Sequence, residues 1–304
     1  MNIDPEASFE GHRPVMLDET MEWLNIESER WYIDANLGGG GHAREILNRG
    51  GKVLAIDRDQ RAVTEFRDAA ETLYPGRFIA ILGNNADLGE IAGKEGITPS
   101  GILFDLGWSS IQGEDPERGL SFSEEGPLDM RLDIREDDRA EDFLERFSEE
   151  EFVDLFSEVD EPLARPIARA LVQARRQGRL PRTTLKLASF VSGVYYRKGF
   201  RRSRRHPATR VFMALRIRVN KEYENLARAL AGSLDLLKDR GGRLLVLTFH
   251  SGEDRIVKRT FREWTQSGSA EYLFRKSLQP DREEIRRNPR ARSARLRGVR
   301  FGRE

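Results

Sequence analysis

Four consecutive glycines and a histidine, Gly38-Gly39-Gly40-Gly41-His42, follow a segment at residues 31–37 that reads as a strand. Glycine tolerates positive φ and lets backbone approach a ligand closely. A helix starting at the end of such a loop presents unpaired N–H groups to polar or anionic atoms. Asp57 lies 19 residues beyond Gly38, at the end of the apolar run 52–56. A carboxylate there can accept hydrogen bonds from both hydroxyls of a ribose. Asp105 closes another apolar run, 101–104, and the loop after Leu82 reaches the same rim. This is chemistry for holding a nucleoside cofactor. Gly38-x-Gly40-x-x-Ala43 matches the dinucleotide fingerprint. Against that stand the width of the glycine run and Asp34, placed where a methionine ammonium group needs a carboxylate or a water-mediated contact. An S-adenosylmethionine-dependent methyltransferase, a dinucleotide enzyme and a purely structural glycine turn are all open on these residues alone.

Such groups meet only if several segments end on one edge. Strands are expected at 31–37, 52–56, 78–82, 101–104 and 243–249, and helices at 41–48 and 58–73. Alternating strand and helix predicts a parallel sheet with helices on both faces, which binds ligands at the carboxyl ends of its strands. The alternation breaks from 113 to 206, where helices are expected at 140–147, 149–156, 163–176 and 184–195. One long helix is expected from Pro207 to about Leu237. Ser251-Gly252-Glu253-Asp254 reads as a capping box opening another. Residues 272–278 and 295–300 are expected to close the sheet as an antiparallel pair.

The 304 residues contain no cysteine, which removes disulfides, thiolate metal sites and cysteine nucleophiles together. Methylation at pyrimidine C5, which needs such a nucleophile, is thereby excluded, and N- or O-methylation remains. No secretory signal and no run of ~20 apolar residues is visible, so a cytoplasmic protein without membrane association is expected. Carboxylates around Asp133 have no spacing that compels a metal, and none is expected.

Net charge is zero, but charge is segregated. Residues 136–161 hold 13 acids against two arginines, whereas 197–205 hold six basic residues and no acid. Arg197, Lys198, Arg201, Arg202, Arg204 and Arg205, interleaved with Tyr195, Tyr196 and Phe200, suit an RNA backbone. Residues 282–304 hold nine arginines against three acids, and Arg290 and Arg292, beside Arg295, form a second basic group.

Longer motifs carry a resemblance. Asp105-Leu106-Gly107-Trp108-Ser109-Ser110-Ile111-Gln112 is followed by Glu117-Arg118-Gly119-Leu120-Ser121-Phe122 and Gly126-Pro127-Leu128-Asp129-Met130-Arg131-Leu132-Asp133. Later come His206-Pro207-Ala208-Thr209-Arg210, the stretch from Phe249-His250-Ser251 to Lys258, and Asn288-Pro289-Arg290-Ala291-Arg292-Ser293. From His12-Arg13-Pro14-Val15 almost to the C-terminus, the chain resembles the bacterial 16S rRNA cytosine-N4 methyltransferase family.

The resemblance implies a Rossmann-like class I methyltransferase domain, 1–112 and 207–304, with an inserted helical substrate-recognition domain, 113–206. It implies S-adenosylmethionine as cofactor and N4 methylation of a cytidine in the decoding region of 16S rRNA. The partner is then 16S rRNA or the small ribosomal subunit, and a homodimer stays open. The family's cofactor contacts fall on Gly40, Gly41, His42, Asp57, Asn85, Asp105 and Gln112. Asp105 is expected to accept a hydrogen bond from the target amine or to orient cofactor. Trp108 is expected to stack on the target base or to sit in the core. Glu117-Arg118 and Asp129-Met130-Arg131 are expected to line a cleft, and His250 to be positional. The chain departs from the family at Asn36 (usually Thr), Asn85 (an aromatic), Trp108 (Val), Ile111 (Pro), Met213 (Gln) and Gly252 (Leu). These departures keep open another substrate for the same fold, or an RNA-binding assembly factor without catalysis.

Overall fold

The computed structural model describes residues 14–107, 115–200, 206–239 and 241–302. They form two compact units, one of 1–107 with 223–304 and one of 108–222.

The first unit begins with α1 (Leu17–Leu24), β1 (Trp31–Asp34), α2 (Gly41–Asn48), β2 (Lys52–Asp57), α3 (Gln60–Glu71), β3 (Phe78–Leu82), α4 (Leu88–Lys94) and β4 (Pro99–Asp105). The second unit contributes α5 (Ala140–Arg146), α6 (Glu149–Ser157), α7 (Ala164–Arg176), α8 (Thr184–Arg197) and α9 (Thr209–Val219). The chain returns through α10 (Glu222–Leu237), β5 (Arg243–Thr248), α11 (Ser251–Gln266), β6 (Ala270–Tyr272), α12 (Arg282–Arg287) and β7 (Arg295–Phe301).

The seven strands run in the order β3-β2-β1-β4-β5-β7-β6. The first five are parallel, and β7 enters antiparallel between β5 and β6. This is the expected Rossmann-like class I arrangement. Strand order reverses between β1 and β4, and that switch point is where such sheets take ligands.

Side-chain alternation along the strands makes two cores. Val53, Ala55, Leu103, Leu245 and Leu247 face α1, α2 and α3, while Leu54, Ile56, Ile102, Phe104, Leu244 and Val246 face α4, α10 and α11. Both sheet faces are buried, so these strands read as continuous apolar runs.

The long helix expected over 207–237 is two helices, α9 and α10. Lys221 between them takes a left-handed φ of 50°. Asn220 caps α9, and its buried amide donates to the Met130 carbonyl (2.8 Å) and accepts from Leu132 N–H (2.7 Å). Satisfying that buried backbone outweighs continuing the helix. Residues 207–222, expected with the sheet, group with the second unit, because α9 packs on α5 and α6. The expected closing pair is realised as β6 with β7, followed by a single bridge between Leu278 and Leu296.

Candidate active site

Asp34, Asp57 and Asp105 end β1, β2 and β4, three parallel strands, so the sheet alone brings three carboxylates to one edge. The backbone between Asp34 and the glycines is tied to both neighbouring strands. Ala35 N–H donates to the Leu103 carbonyl (2.9 Å) and Leu37 N–H to the Ile56 carbonyl (3.0 Å).

The glycines divide the work. Gly40 caps α2 at φ 75°, and a Cβ there would lie 2.3 Å from the Phe66 ring, so only glycine fits. Gly39 faces open space. Gly38 N–H donates to Asp57 Oδ2 (2.8 Å), while Asp59 N–H donates to Asp57 Oδ1 (2.9 Å). Burial pushes the Asp57 carboxyl above its ordinary range, against the pull of these two N–H groups. Each oxygen keeps lone-pair capacity for a hydroxyl.

Gly41 opens α2, and His42, its second residue, is turned inward and buried. Its Nε2 lies 3.2 Å from the Val15 carbonyl and its Nδ1 3.4 Å from Asp105 Oδ2. Burial opposes charge on His42, but Asp105, Asp34 and the Val15 carbonyl outweigh it and raise its pKa.

Asp34 is only 1% exposed. Its Oδ1 accepts from Asn36 N–H (3.3 Å), and its Oδ2 has no hydrogen-bond partner among the described residues. Burial, with the Asp105 and Asp57 carboxylates close by, pushes its pKa up to about 7 despite His42 and the Asn36 N–H. Asp105 Oδ1 is likewise buried and without a partner among the described residues. Unsatisfied buried acceptors are rare in folded chains, and here two of them stand on the strand edge that also carries Asp57.

Asn85 lies in a short 3-10 turn (Asn85–Asp87) after β3. Its Nδ2 donates to Asn36 Oδ1 (3.2 Å), and its own Oδ1 is a third buried acceptor without a partner among the described residues. Both asparagines depart from the family pattern, and the structure joins them as one hydrogen-bonded pair. In sequence they stand as two separate anomalies, with nothing to connect positions 36 and 85. The Val15 carbonyl is likewise invisible to sequence reasoning, being a backbone atom far away in the chain. Trp108 and Gln112 lie outside the described residues.

Other motifs have structural jobs. His250 N-caps α11, and the Glu253 carboxylate reaches back to Phe249 N–H (2.8 Å) and His250 N–H (3.4 Å). The capping box therefore opens one residue earlier than expected. Asp254 holds Arg297 through two hydrogen bonds, at 2.8 and 3.1 Å. A Cβ at Gly252 would lie 1.9 Å from the Tyr223 hydroxyl, which explains glycine where leucine is usual.

In the second unit, Cβ atoms at Gly119 and Gly126 would each lie 2.0 Å from a carbonyl oxygen, of Pro127 and Pro116 respectively. The 117–122 and 126–133 motifs thus pack backbone on backbone. Met130 N–H donates to the Arg118 carbonyl and Arg118 Nη1 to the Leu132 carbonyl, both at 2.9 Å. Asp129 pairs with Arg131, and Asp133 with Arg135. These groups build the segment.

Of the expected RNA contacts, Arg197 and Lys198 are exposed where α8 ends, and Arg201, Arg202, Arg204 and Arg205 lie outside the described residues. Arg290 and Arg292 are exposed in a 3-10 turn (Pro289–Ser293) before β7. The register pairs Arg295 with Thr248 at the carboxyl end of β5, so this turn adjoins the sheet edge that carries Asp105. Among the described residues no helix is long and apolar enough to cross a membrane.

The family model described as "MraW methylase family" matches residues 9–301. The chain belongs to the MraW methylase family. It is 45% identical to the ribosomal RNA small subunit methyltransferase H of Thermomicrobium roseum, over 95% of this chain and 93% of that one. It is 40% identical to the protein of the same name from Syntrophobacter fumaroxidans, over 98% of each. A solved rRNA methylase from Streptococcus thermophilus is similar only loosely, at 11% identity and TM-score 0.44 over 100% of this chain and 99% of that one. The MraW methylase assignment rests on sequence, and the fold on the chain's own strand order.

Proposed function

We propose that the chain binds S-adenosylmethionine at the β1–β4 switch point and methylates the N4 amine of a cytidine in the decoding region of 16S rRNA. The observation that carries this reading is the convergence of Asp34, Asp57 and Asp105 around a glycine turn, with Asp34 Oδ2, Asn85 Oδ1 and Asp105 Oδ1 buried and without partners among the described residues. The residues fit the cofactor group by group. Asp57 suits ribose hydroxyls, Gly38–Gly41 and Asp34 the methionine portion, and Asn36 with Asn85 the adenine edge. Gln112 is assigned to the same set by family position. The bound cofactor supplies a methyl group on a positively charged sulfur.

The cytosine amine is a poor nucleophile because its lone pair is delocalised into the ring. Orientation can contribute up to ~7–11 kcal/mol of barrier reduction. His42 engages Asp105 Oδ2, which leaves Oδ1 to accept a hydrogen bond from the amine and receive its proton. Trp108, three residues on, is the aromatic assigned to the target base, which must leave its stack to reach the site. Arg197, Lys198, Arg201, Arg202, Arg204, Arg205, Arg290 and Arg292 hold the RNA backbone.

The test is mass spectrometry of 16S rRNA nucleosides from a strain lacking the gene, with the gene restored, and restored as Asp105→Ala. N4-methylcytidine should vanish, return and stay absent in that order. Its persistence in the deletion strain would refute the assignment.

A further inference from the structure

Tyr195 and Tyr196 are neighbours at the end of α8 with opposite fates. Tyr195 is buried, and its hydroxyl donates to Glu161 Oε1 (2.5 Å), which also accepts from Leu163 N–H (2.9 Å). The helix then closes in a Schellman cap. Gly199 takes φ 85°, its N–H donates to the Tyr196 carbonyl (3.0 Å), and Phe200 N–H donates to the Tyr195 carbonyl (3.1 Å). The Phe200 ring meets Tyr195 edge-on at 5.6 Å, the apolar contact that accompanies such caps. Folding therefore accounts for Tyr195 and for the inner side of Phe200.

It does not account for Tyr196, which is 67% exposed, or for the outer side of Phe200, which leaves that residue 49% exposed. Among the described residues nothing pairs with the Tyr196 ring or hydroxyl. Arg197 and Lys198 lie between these two aromatics and are exposed too. Arg197 and Lys198 put positive charge beside the rings, and the sequence adds four more basic residues and no acid by position 205, a composition that favours a polyanion. Helix-dipole compensation would explain cations at this helix end. It would not explain aromatic rings beside them. A partner with both phosphates and flat π faces satisfies both features, and that partner is nucleic acid with unpaired bases.

We propose that Tyr196 and the outer face of Phe200 form a stacking platform for unpaired nucleotides of the RNA substrate, with the adjoining cations on its phosphates. The proposal rests on the RNA-methylating reading above and adds which strand state the second unit grips. A duplex hides its base faces, so the platform discriminates single strands from paired ones.

The experiment uses the full chain and a short unpaired RNA oligonucleotide, with the same strand in a duplex as comparison, titrated over a range of salt. Tyr196→Ala should weaken single-strand binding about 5- to 100-fold, leave the salt slope unchanged and leave duplex binding unchanged. Tyr196→Phe should restore affinity, because it keeps the π face. Phe200→Leu keeps the cap's apolar contact and should cost less than Tyr196→Ala. Unchanged melting temperatures show that the fold is intact. Full single-strand affinity in Tyr196→Ala with Phe200→Leu would overturn the platform. So would weaker binding accompanied by a changed salt slope, or Tyr196-dependent retention on anionic lipid vesicles without any effect on RNA. No RNA binding by the unaltered chain would overturn the RNA reading itself, and the platform with it.

Discussion

His42 reaches the Val15 carbonyl through Nε2 at 3.2 Å and Asp105 Oδ2 through Nδ1 at 3.4 Å. A carbonyl only accepts, so Nε2 carries a proton. A neutral ring would then turn a lone pair toward a carboxylate. The geometry is favourable only with a second proton between Nδ1 and Oδ2, and the raised His42 pKa agrees. The expected state of His42 is an imidazolium that clamps Asp105 through Nδ1. Nitrogen NMR should show both ring nitrogens protonated at neutral pH, titrating above the ordinary 6.5. Asp105→Asn should lower that midpoint. A neutral His42 ring in the unaltered protein at neutral pH would refute the clamp.

The Asp34 carboxyl, raised from 3.8 to about 7, makes stability depend on pH with a definite sign. The folded chain holds that proton more tightly than the unfolded chain. Its contribution is complete below 3.8 and is lost as pH rises through about 7. Each pH unit inside that window changes stability by up to about 1.4 kcal/mol. His42 acts in the same direction, above 6.5. Asp34→Asn, which cannot ionise, should gain melting temperature over the unaltered chain progressively from about pH 4 to about pH 7 and level off above that. Parallel melting curves across that range would show that Asp34 is not the titrating group.

Asn36 and Asn85 should behave as a unit. Replacing either alone by its family residue, Asn36→Thr or Asn85→Phe, leaves the other amide without this partner. Each should weaken S-adenosylmethionine binding in calorimetry. The double variant should recover part of the affinity, with a coupling of about 0.5–3 kcal/mol. Strict additivity would show that the pair is incidental.

Gly252 and Tyr223 form a size pair. Gly252→Leu should destabilise the fold by about 1–3 kcal/mol, because the new side chain overlaps the Tyr223 hydroxyl. In a Tyr223→Ala background the same change should cost much less in a denaturant titration. An equal cost in both backgrounds would remove Tyr223 as the cause.

Neutralising Arg197, Lys198, Arg201 and Arg202 together should weaken RNA binding and flatten its salt dependence. The log–log slope should fall by about 0.7 for each single-strand phosphate that is no longer neutralised. S-adenosylmethionine affinity should be unaffected. An unchanged slope in a filter-binding titration would remove these residues from the interface.

Local pattern was enough to read the sheet-forming runs, the α2 boundaries and the glycine turn. Burial on both sheet faces leaves continuous apolar runs, and glycine marks backbone that no other residue can follow. Asp57 and Asp105 were legible for the same reason, since each closes a run, whereas Asp34 lay inside the expected strand 31–37 and ends β1 only in the folded chain. Lys221 was not legible as a break between α9 and α10. What ends the helix is Asn220 bonding to Met130 and Leu132, 90 and 88 residues earlier. Likewise His42 showed its type and its loop, but its charge depends on Val15 and Asp105, which only folding brings to its two nitrogens. Periodicity and residue type act through neighbours in the chain, so sequence alone determined the parallel sheet, the cofactor turn and the family. Hydrogen-bond partners, burial and protonation depend on neighbours in space. Those decided which carboxylate is clamped, why asparagine stands at both 36 and 85, and which of two adjacent tyrosines faces the solvent.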